Sequence, residues 1–199
     1  MDILPGTWNK PNLPVMINLF GGPGIGKTTT AARVFVQLKM LGIETANPEE
    51  HAKLAIWKGR PDLLDQQLVI LGQSWETLHA LADKVDAVVM DSPLLLCSVY
   101  AGDREGPHFH DTVADFHRRL PRLNFMLTRA KDRAYSTTGR REDADTARAL
   151  DTRIRAALAQ RGEAFTELPS GEGVDPMRLD HEAAAIARHV AAYLDQRKA

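Results

Sequence analysis

Short apolar runs alternate along this chain with longer stretches in which apolar residues recur every three or four positions. The apolar runs predict five strands, at residues 15–20, 43–46, 85–90, 123–127 and 164–168. The periodic stretches predict helices at residues 29–41, 48–57, 63–82, 111–120, 143–161 and 181–196. Because helical stretches separate the strands, the pattern is typical of an α/β fold built on a parallel sheet.

Composition sets limits on this fold and on its partners. The chain has 199 residues, 44% of them hydrophobic, which suits one α/β domain over residues 15–199 behind an extended, proline-containing arm at residues 1–14. The net charge of −1 argues against strong non-specific binding of nucleic acid and leaves a local basic groove open. No stretch is long and apolar enough to span a bilayer, so we expect a cytoplasmic protein with no membrane partner. The single cysteine, Cys97, is expected to be a small buried residue.

A glycine-rich stretch lies between the first predicted strand and the first predicted helix. It fits the phosphate-loop pattern G-x-x-x-x-G-K-[ST] and consists of Gly21, Gly22, Pro23, Gly24, Ile25, Gly26, Lys27 and Thr28, followed by Thr29. Backbone N–H groups of such a loop surround a polyphosphate, and the helix N-terminus adds partial positive charge. Lys27 is placed to reach the β- and γ-phosphates, and the Thr28 hydroxyl to ligate Mg²⁺. We expect the loop to bind ATP together with Mg²⁺.

One carboxylate stands at the end of the third predicted strand. Asp91 follows the apolar run of residues 85–90. Ligands of parallel α/β sheets gather at the carboxyl ends of the strands, where this carboxylate could hold Mg²⁺ or accept the proton of an attacking hydroxyl. The structural alternative is that Asp91 caps the turn before Pro93. With the phosphate loop present, the functional interpretation is favoured.

A basic segment without apolar periodicity follows the fourth predicted strand, at about residues 129–142. Its arginines are Arg129, Arg133, Arg140 and Arg141. Phosphoryl transfer spreads negative charge over the γ-phosphate, and arginines on a closing lid stabilise that charge. We therefore interpret the segment as an arginine-rich lid; the alternative is a solvated charged surface.

Other residues carry weaker functional signals. Glu50, after the second predicted strand, could accept a proton from a substrate hydroxyl, or could simply favour the start of a helix. Gln73 could read the edge of a base. Trp57 and Trp75 could stack on a base, although core packing is the favoured interpretation of both.

The motifs together resemble a known family. The stretch from Ile17 to Thr30 resembles the opening of small P-loop kinase-like proteins of tailed phages, which are related to AAA-type kinases that include nicotinamide riboside kinase. The segments at residues 50–53, with His51 in place of a tyrosine, and at residues 91–96, together with Arg129, Tyr135, Gly139 and Arg140, are similar as well. The resemblance covers about residues 15–168. It implies a P-loop NTPase three-layer sandwich, with five parallel strands in the order 2-3-1-4-5, helices on both faces and an arginine-rich lid.

The resemblance and the motifs lead to one expected function and two alternatives. We expect an ATP-dependent kinase that moves the γ-phosphate to a nucleoside-like or nucleotide acceptor, with Lys27, Asp91, Glu50 and the lid arginines as catalytic residues. The resemblance adds the alternative that the acceptor is 5-hydroxymethyluracil within DNA, in a phage-infected bacterial host. The other alternative is a P-loop ATPase or switch that acts on a protein partner and is favoured by an oligomer whose arginines reach a neighbour's nucleotide.

Overall fold

The computed structural model of the chain describes residues 13–129, 143–169 and 176–198. Its strands are β1 Val15–Phe20, β2 Thr45–Ala46, β3 Ala87–Met90, β4 Arg122–Thr128 and β5 Thr166–Pro169. Its α-helices are α1 Lys27–Met40, α2 His51–Trp57, α3 Gln67–Leu81, α4 Leu95–Ala101, α5 Pro107–Arg119, α6 Ala144–Gln160 and α7 Pro176–Lys198. Most of the predicted N-terminal arm, and the predicted lid beyond Arg129, lie outside the described residues.

The five strands form one parallel sheet in the order β2-β3-β1-β4-β5, which confirms the predicted topology. In the centre of the sheet, Ile17 of β1 pairs with Val89 of β3 on one side and with Leu123 of β4 on the other. Each connection between neighbouring parallel strands passes over a face of the sheet through at least one helix. This arrangement is the P-loop α/β fold.

The central strand β1 is buried on both of its faces, as the apolar run predicted. Val15, Ile17 and Leu19 pack with α1 and α7 in one hydrophobic cluster. Met16 and Phe20 point to the opposite face and belong to a second cluster, which α3, α4, α5 and α6 cover. The alternation along one strand therefore produces the predicted three layers, with the sheet between two layers of helices.

The structure differs from the predicted elements in several places. Helices α5 and α7 begin at Pro107 and Pro176, four and five residues earlier than predicted. Helix α4 was not predicted, because six of its seven residues are buried and the segment has no polar face to reveal a helical period. The predicted helix 63–82 begins later, at Gln67, after a 3₁₀ turn at Pro61–Asp65. Pro48 does not start α2, whose N-terminal cap residue is Glu50. No helix in the described part of the chain has the length and apolar character needed to cross a membrane.

Candidate functional site

The predicted site residues in the described ranges lie along one edge of the sheet. Gly21 directly follows β1, Asp91 directly follows β3, and Arg129 directly follows β4. Glu50 lies after β2, at the start of α2. Because the strands are parallel, all four positions are at the carboxyl edge, where ligands of open α/β sheets bind.

The glycine-rich loop connects β1 to α1 with backbone conformations that favour glycine. Gly24 and Gly26 have φ angles of +73° and +101°, in the left-handed region. Gly22 has no room for a side chain, since a Cβ there would lie 2.6 Å from the Ala147 carbonyl oxygen. Helix α1 begins at Lys27, directly after Gly26. Its unpaired N–H groups and partial positive charge therefore lie at the loop, as anion binding requires.

The Lys27 side chain turns back over the loop that precedes it. Its Nζ donates hydrogen bonds to the carbonyl oxygens of Gly21, at 2.8 Å, and Gly22, at 3.2 Å. Burial lowers the pKa of Lys27, while the negative charges of Glu50 and Asp91 act in the opposite direction. The amine is thus held at the loop, within electrostatic reach of the two predicted acids.

Asp91 and Thr28 form a pair of oxygen donors beside the loop. The Thr28 hydroxyl donates to Oδ2 of Asp91 at 2.8 Å, and Asp91 is only 6% exposed. Hydroxyl and carboxylate oxygens are the ligands that Mg²⁺ prefers, so the chemistry of this donor set fits the ion. Among the described residues no group of three or more His, Cys, Asp or Glu side chains is arranged as a metal site. Mg²⁺ would therefore depend on water and phosphate oxygens for its remaining ligands, as it commonly does.

Arg129 contacts the loop together with a residue that the sequence did not reveal. Its Nη2 donates to the Pro23 carbonyl oxygen at 2.8 Å, and its Nε donates to Oδ2 of Asp151, on α6, at 2.5 Å. Oδ1 of Asp151 accepts from the Gly22 N–H at 2.6 Å. Asp151 lies within the predicted helix 143–161, and no local sequence pattern marks it as a site residue. Arg133, Arg140 and Arg141 lie outside the described residues.

A cleft of about 750 Å³ opens from the loop toward the layer that contains α3 and α4. At one end it is lined by Lys27, Thr28 and Glu50. Farther away its lining is partly apolar, from Ile56, Leu64, Ile70 and Leu96, and partly polar, from Lys53, Asp65, Gln67, Tyr100, Arg104 and Arg153. Concave sites of this size with a mixed lining are typical of small-molecule binding.

The residues with weaker sequence signals lie in different surroundings. Gln73 is exposed and does not line the cleft; the amide in the lining is the buried Gln67, whose Nε2 donates to the Leu64 carbonyl oxygen at 2.7 Å. Trp75 stacks on Phe116, with ring centroids 3.9 Å apart, which agrees with core packing. Trp57 is 63% exposed, so the expectation of core packing is wrong there.

The sequence of this chain matches one protein family. The family model described as "AAA domain" matches residues 16–175, most of the chain, including the loop, Asp91 and α6. The chain belongs to the AAA domain family. This result confirms the AAA part of the resemblance, whereas the phage-type subfamily stays a prediction. No match is found among curated proteins.

Solved structures with the same fold share little sequence with this member of the AAA domain family. Deoxyadenosine kinase from M. mycoides, with products dCMP and a flexible dCDP bound, is 16% identical with a TM-score of 0.51, over 88% of this chain and 100% of that one. The same enzyme with bound dCTP gives 15% identity, a TM-score of 0.48 and the same coverage. The structure of APE1195 is 18% identical with a TM-score of 0.46, over 92% of this chain and 98% of that one. At 16% identity, the similarity to the first of these structures shows the fold alone.

Proposed function

We propose that the protein is an ATP-dependent phosphotransferase that moves the γ-phosphate of ATP to a hydroxyl or phosphate of a nucleoside-type acceptor. The observation that carries the proposal is the continuity of the cleft. Lys27 and other residues of the phosphate loop line the same cleft of about 750 Å³ as apolar and polar residues of α2, α3 and α4. A kinase must hold a donor and an acceptor side by side in this way.

The donor end has the groups that an ATP polyphosphate requires. The residues from Gly21 to Thr29 would surround the phosphates with N–H groups, and Lys27 would exchange its contacts with the Gly21 and Gly22 carbonyl oxygens for phosphate oxygens. Thr28 and Asp91 would hold Mg²⁺, which neutralises phosphate charge when it is bound. ATP and Mg²⁺ are therefore the proposed cofactors.

The transfer needs a proton acceptor and stabilisation of negative charge. As the acceptor oxygen forms its bond to the γ-phosphorus, its proton passes to a carboxylate, and the bond from the γ-phosphorus to the bridging oxygen breaks to release ADP. Glu50 and Asp91 are the carboxylates proposed for the proton. Lys27 and Arg129 are proposed to stabilise the charge, joined by Arg133 and Arg140 from outside the described residues.

The acceptor end supports a nucleoside-type compound through its mixture of surfaces. Ile56, Leu64, Ile70 and Leu96 offer apolar contact to a flat ring, and Gln67 offers an amide within the same lining. Lys53 adds positive charge, while Arg104 is paired with Asp65 of the same lining at 2.6 Å; the cleft suits an acceptor that already carries a phosphate as well as one that does not. The deoxyadenosine kinase of the same fold acts as a precedent only at the level of architecture.

The proposal is tested by incubating the protein with γ-labelled ATP and Mg²⁺ in four parallel reactions. These contain nucleosides, nucleoside monophosphates, DNA carrying 5-hydroxymethyluracil, or no acceptor. We expect label in a nucleoside or nucleoside monophosphate. Label in the DNA alone would favour the phage-type alternative, a kinase that acts on 5-hydroxymethyluracil in DNA. Phosphate release without any labelled acceptor would favour an ATPase or switch. Absence of Mg²⁺·ATP binding in calorimetry would overturn the proposed function.

A further inference from the structure

We propose that Asp151 is a positioning residue for phosphoryl transfer, which holds the start of the phosphate loop and orients Arg129 beside it. The inference rests on the proposed function. Asp151 lies on α6, far along the chain from both partners, and lies outside the loop motif and the predicted lid. Its carboxylate nevertheless bridges the two elements that are proposed to handle the phosphates.

The first contact is with the loop backbone. Oδ1 of Asp151 accepts from the Gly22 N–H at 2.6 Å, a charge-assisted bond of the stronger class. A Cβ at Gly22 would come within 2.8 Å of the same oxygen and 2.6 Å of the Ala147 carbonyl oxygen. The loop thus approaches α6 as closely as a glycine allows, and Asp151 fixes the position of its first turn.

The second contact is with the arginine. Nε of Arg129 donates to Oδ2 of Asp151 at 2.5 Å, and Nη2 lies 3.4 Å from Oδ1, so the planar guanidinium meets both carboxylate oxygens. Nη2 also donates to the Pro23 carbonyl oxygen at 2.8 Å. Together these contacts hold the guanidinium against the first turn of the loop.

Electrostatics explain why this acid is useful near a triphosphate site. A carboxylate close to the loop repels phosphate unless its charge is compensated. Asp151 is compensated by Arg129 and is itself only 16% exposed in its side chain. Asp145, on the same helix, is 91% exposed and, within the described part of the chain, pairs with Arg148 at 2.6 Å. Asp151 therefore differs from an ordinary surface acid of α6 by its contact with the loop.

The test compares four variants for steady-state kinetics and for affinity toward Mg²⁺ and a non-hydrolysable ATP analogue. They are Asp151→Asn, Arg129→Gln, the double variant, and Asp145→Asn as the matched control. Since a misplacement of about 1 Å can reduce a rate by about a hundredfold, we expect Asp151→Asn to lower kcat/KM for ATP by roughly 10- to 100-fold. The control is expected to stay within about twofold of the wild type.

A purely structural role predicts a different outcome. If Asp151 acts through Arg129 as well as through the loop, the Asn substitution lowers kcat/KM by a smaller factor in the Arg129→Gln background than in the wild type, because coupled residues are not additive. Additive losses, or an unchanged kcat/KM in Asp151→Asn, would overturn the inference. Should Asp151→Asn fail to fold, Asp151→Glu keeps the charge and is expected to retain more activity than Asp151→Ala at equal thermal stability; equal activities would count against the inference.

The experiment also separates this inference from the proposed function. A wild-type protein that neither binds nor consumes ATP contradicts the proposed function itself. A wild-type protein that transfers phosphate while Asp151→Asn matches it in kcat, KM and analogue affinity contradicts only the role of Asp151.

Discussion

Two arginines at opposite ends of β4 each pair with a carboxylate, yet the surroundings of the two pairs differ. Arg122, the first residue of β4, donates to Glu163 at 2.8 and 2.7 Å. Arg129, directly after the strand, donates to Asp151 at 2.5 Å. Six strand residues, 123–128, lie between the two arginines, which places them about 20 Å apart. The side chains are similarly shielded, with exposures of 24% and 7% at the first pair and of 21% and 16% at the second.

The pair at Arg122 belongs to a polar cluster that is closed on itself. Asn124 donates to Glu163 at 3.1 Å and accepts from Asn18 at 3.0 Å, inside the sheet. His117 lies 3.5 Å from Glu163 and is 4% exposed. The polar side chains here contact one another and the core, although Nε2 of His117 makes no hydrogen bond within the described residues. We therefore expect the cluster to affect folding and not ligand binding.

The pair at Arg129 instead touches a loop that lines an open cleft, where N–H groups and Lys27 are available to a ligand. Burial and ion pairing are therefore shared by the two ends and do not identify the site. The distinguishing feature is that the loop beside Arg129, with Lys27 and the start of α1, lines a cleft. Substitutions at the two ends are expected to separate activity from stability.

The largest effect is expected from Lys27→Met at the cleft end. Loss of the ammonium removes charge stabilisation of the transferred phosphate, which we expect to lower the rate by about 10³-fold or more, equivalent to about 4 kcal/mol. Because burial already disfavours the charged amine, thermal stability is expected to stay the same or rise. Lys39→Met, on the exposed end of the same helix, is the matched control. A comparable loss of activity in the control, or none in Lys27→Met, would contradict the comparison.

Asp91→Asn is expected to lower the rate of phosphoryl transfer by roughly 10² to 10³. The amide keeps the size of the side chain and can still accept from the Thr28 hydroxyl, but it is a weaker ligand for Mg²⁺. Kinetics at increasing Mg²⁺ measure this, and the required Mg²⁺ concentration should rise. Asp86, at the opposite end of β3, accepts from the Glu44 N–H at 3.2 Å and makes Asp86→Asn a control with unchanged activity.

Glu163→Gln is expected to have the opposite profile from the cleft variants. Burial raises the pKa of Glu163, but the hydrogen bonds and charge of Arg122, together with His117 and Asn124, outweigh it and the pKa is lowered, so the folded state favours the charged carboxylate. Its removal leaves Arg122 without a counter-charge, and we expect a loss of about 3 kcal/mol in the free energy of unfolding. Urea unfolding measures this loss, while kcat at 25 °C should remain near the wild-type value. Glu167→Gln, which breaks the surface pair with Arg155, should change stability by under about 1 kcal/mol.

The sequence predicted the cleft end better than the closed cluster, for a physical reason. The loop, Lys27 and Thr28 form one contiguous motif, and Asp91 ends an apolar run, so both signals are local. The strand order was predicted from the resemblance to P-loop kinases and is confirmed. Local signals of this kind are enough to predict that a residue lies at the edge of the sheet, even when no tertiary contacts are known.

The residues that sequence reasoning missed act through contacts that are distant along the chain. Asp151 bonds to Gly22 across 129 positions, and Glu163 bonds to Arg122 across 41. The prediction named Gln73, whereas Gln67 lines the cleft. The choice between the two amides depends on where α3 begins, which is at Gln67. Helix packing, which a single sequence does not specify, sets these contacts.

The smallest effect, and the most specific to the closed cluster, concerns its histidine. Burial lowers the pKa of His117 to about 4; the charge of Glu163 opposes this shift, and Arg122 and Arg161 add to it. In the unfolded chain a histidine has a pKa of about 6.5, so between these values the unfolded state binds the proton more readily and stability falls as the pH falls.

We expect this linkage to remove about 2 kcal/mol of stability between pH 7 and pH 5 in the wild type, and much less in His117→Gln. Urea unfolding at a series of pH values measures both profiles, with the exposed His189→Gln as the control that should follow the wild type. The protonation of Glu163 contributes in the same direction at lower pH and is common to all three proteins, so the difference between profiles isolates His117. Parallel profiles for the wild type and His117→Gln would show that the closed cluster tolerates a second positive charge beside Arg122. The contrast between the two ends of β4 would then depend only on the effects of substitutions on enzymatic activity.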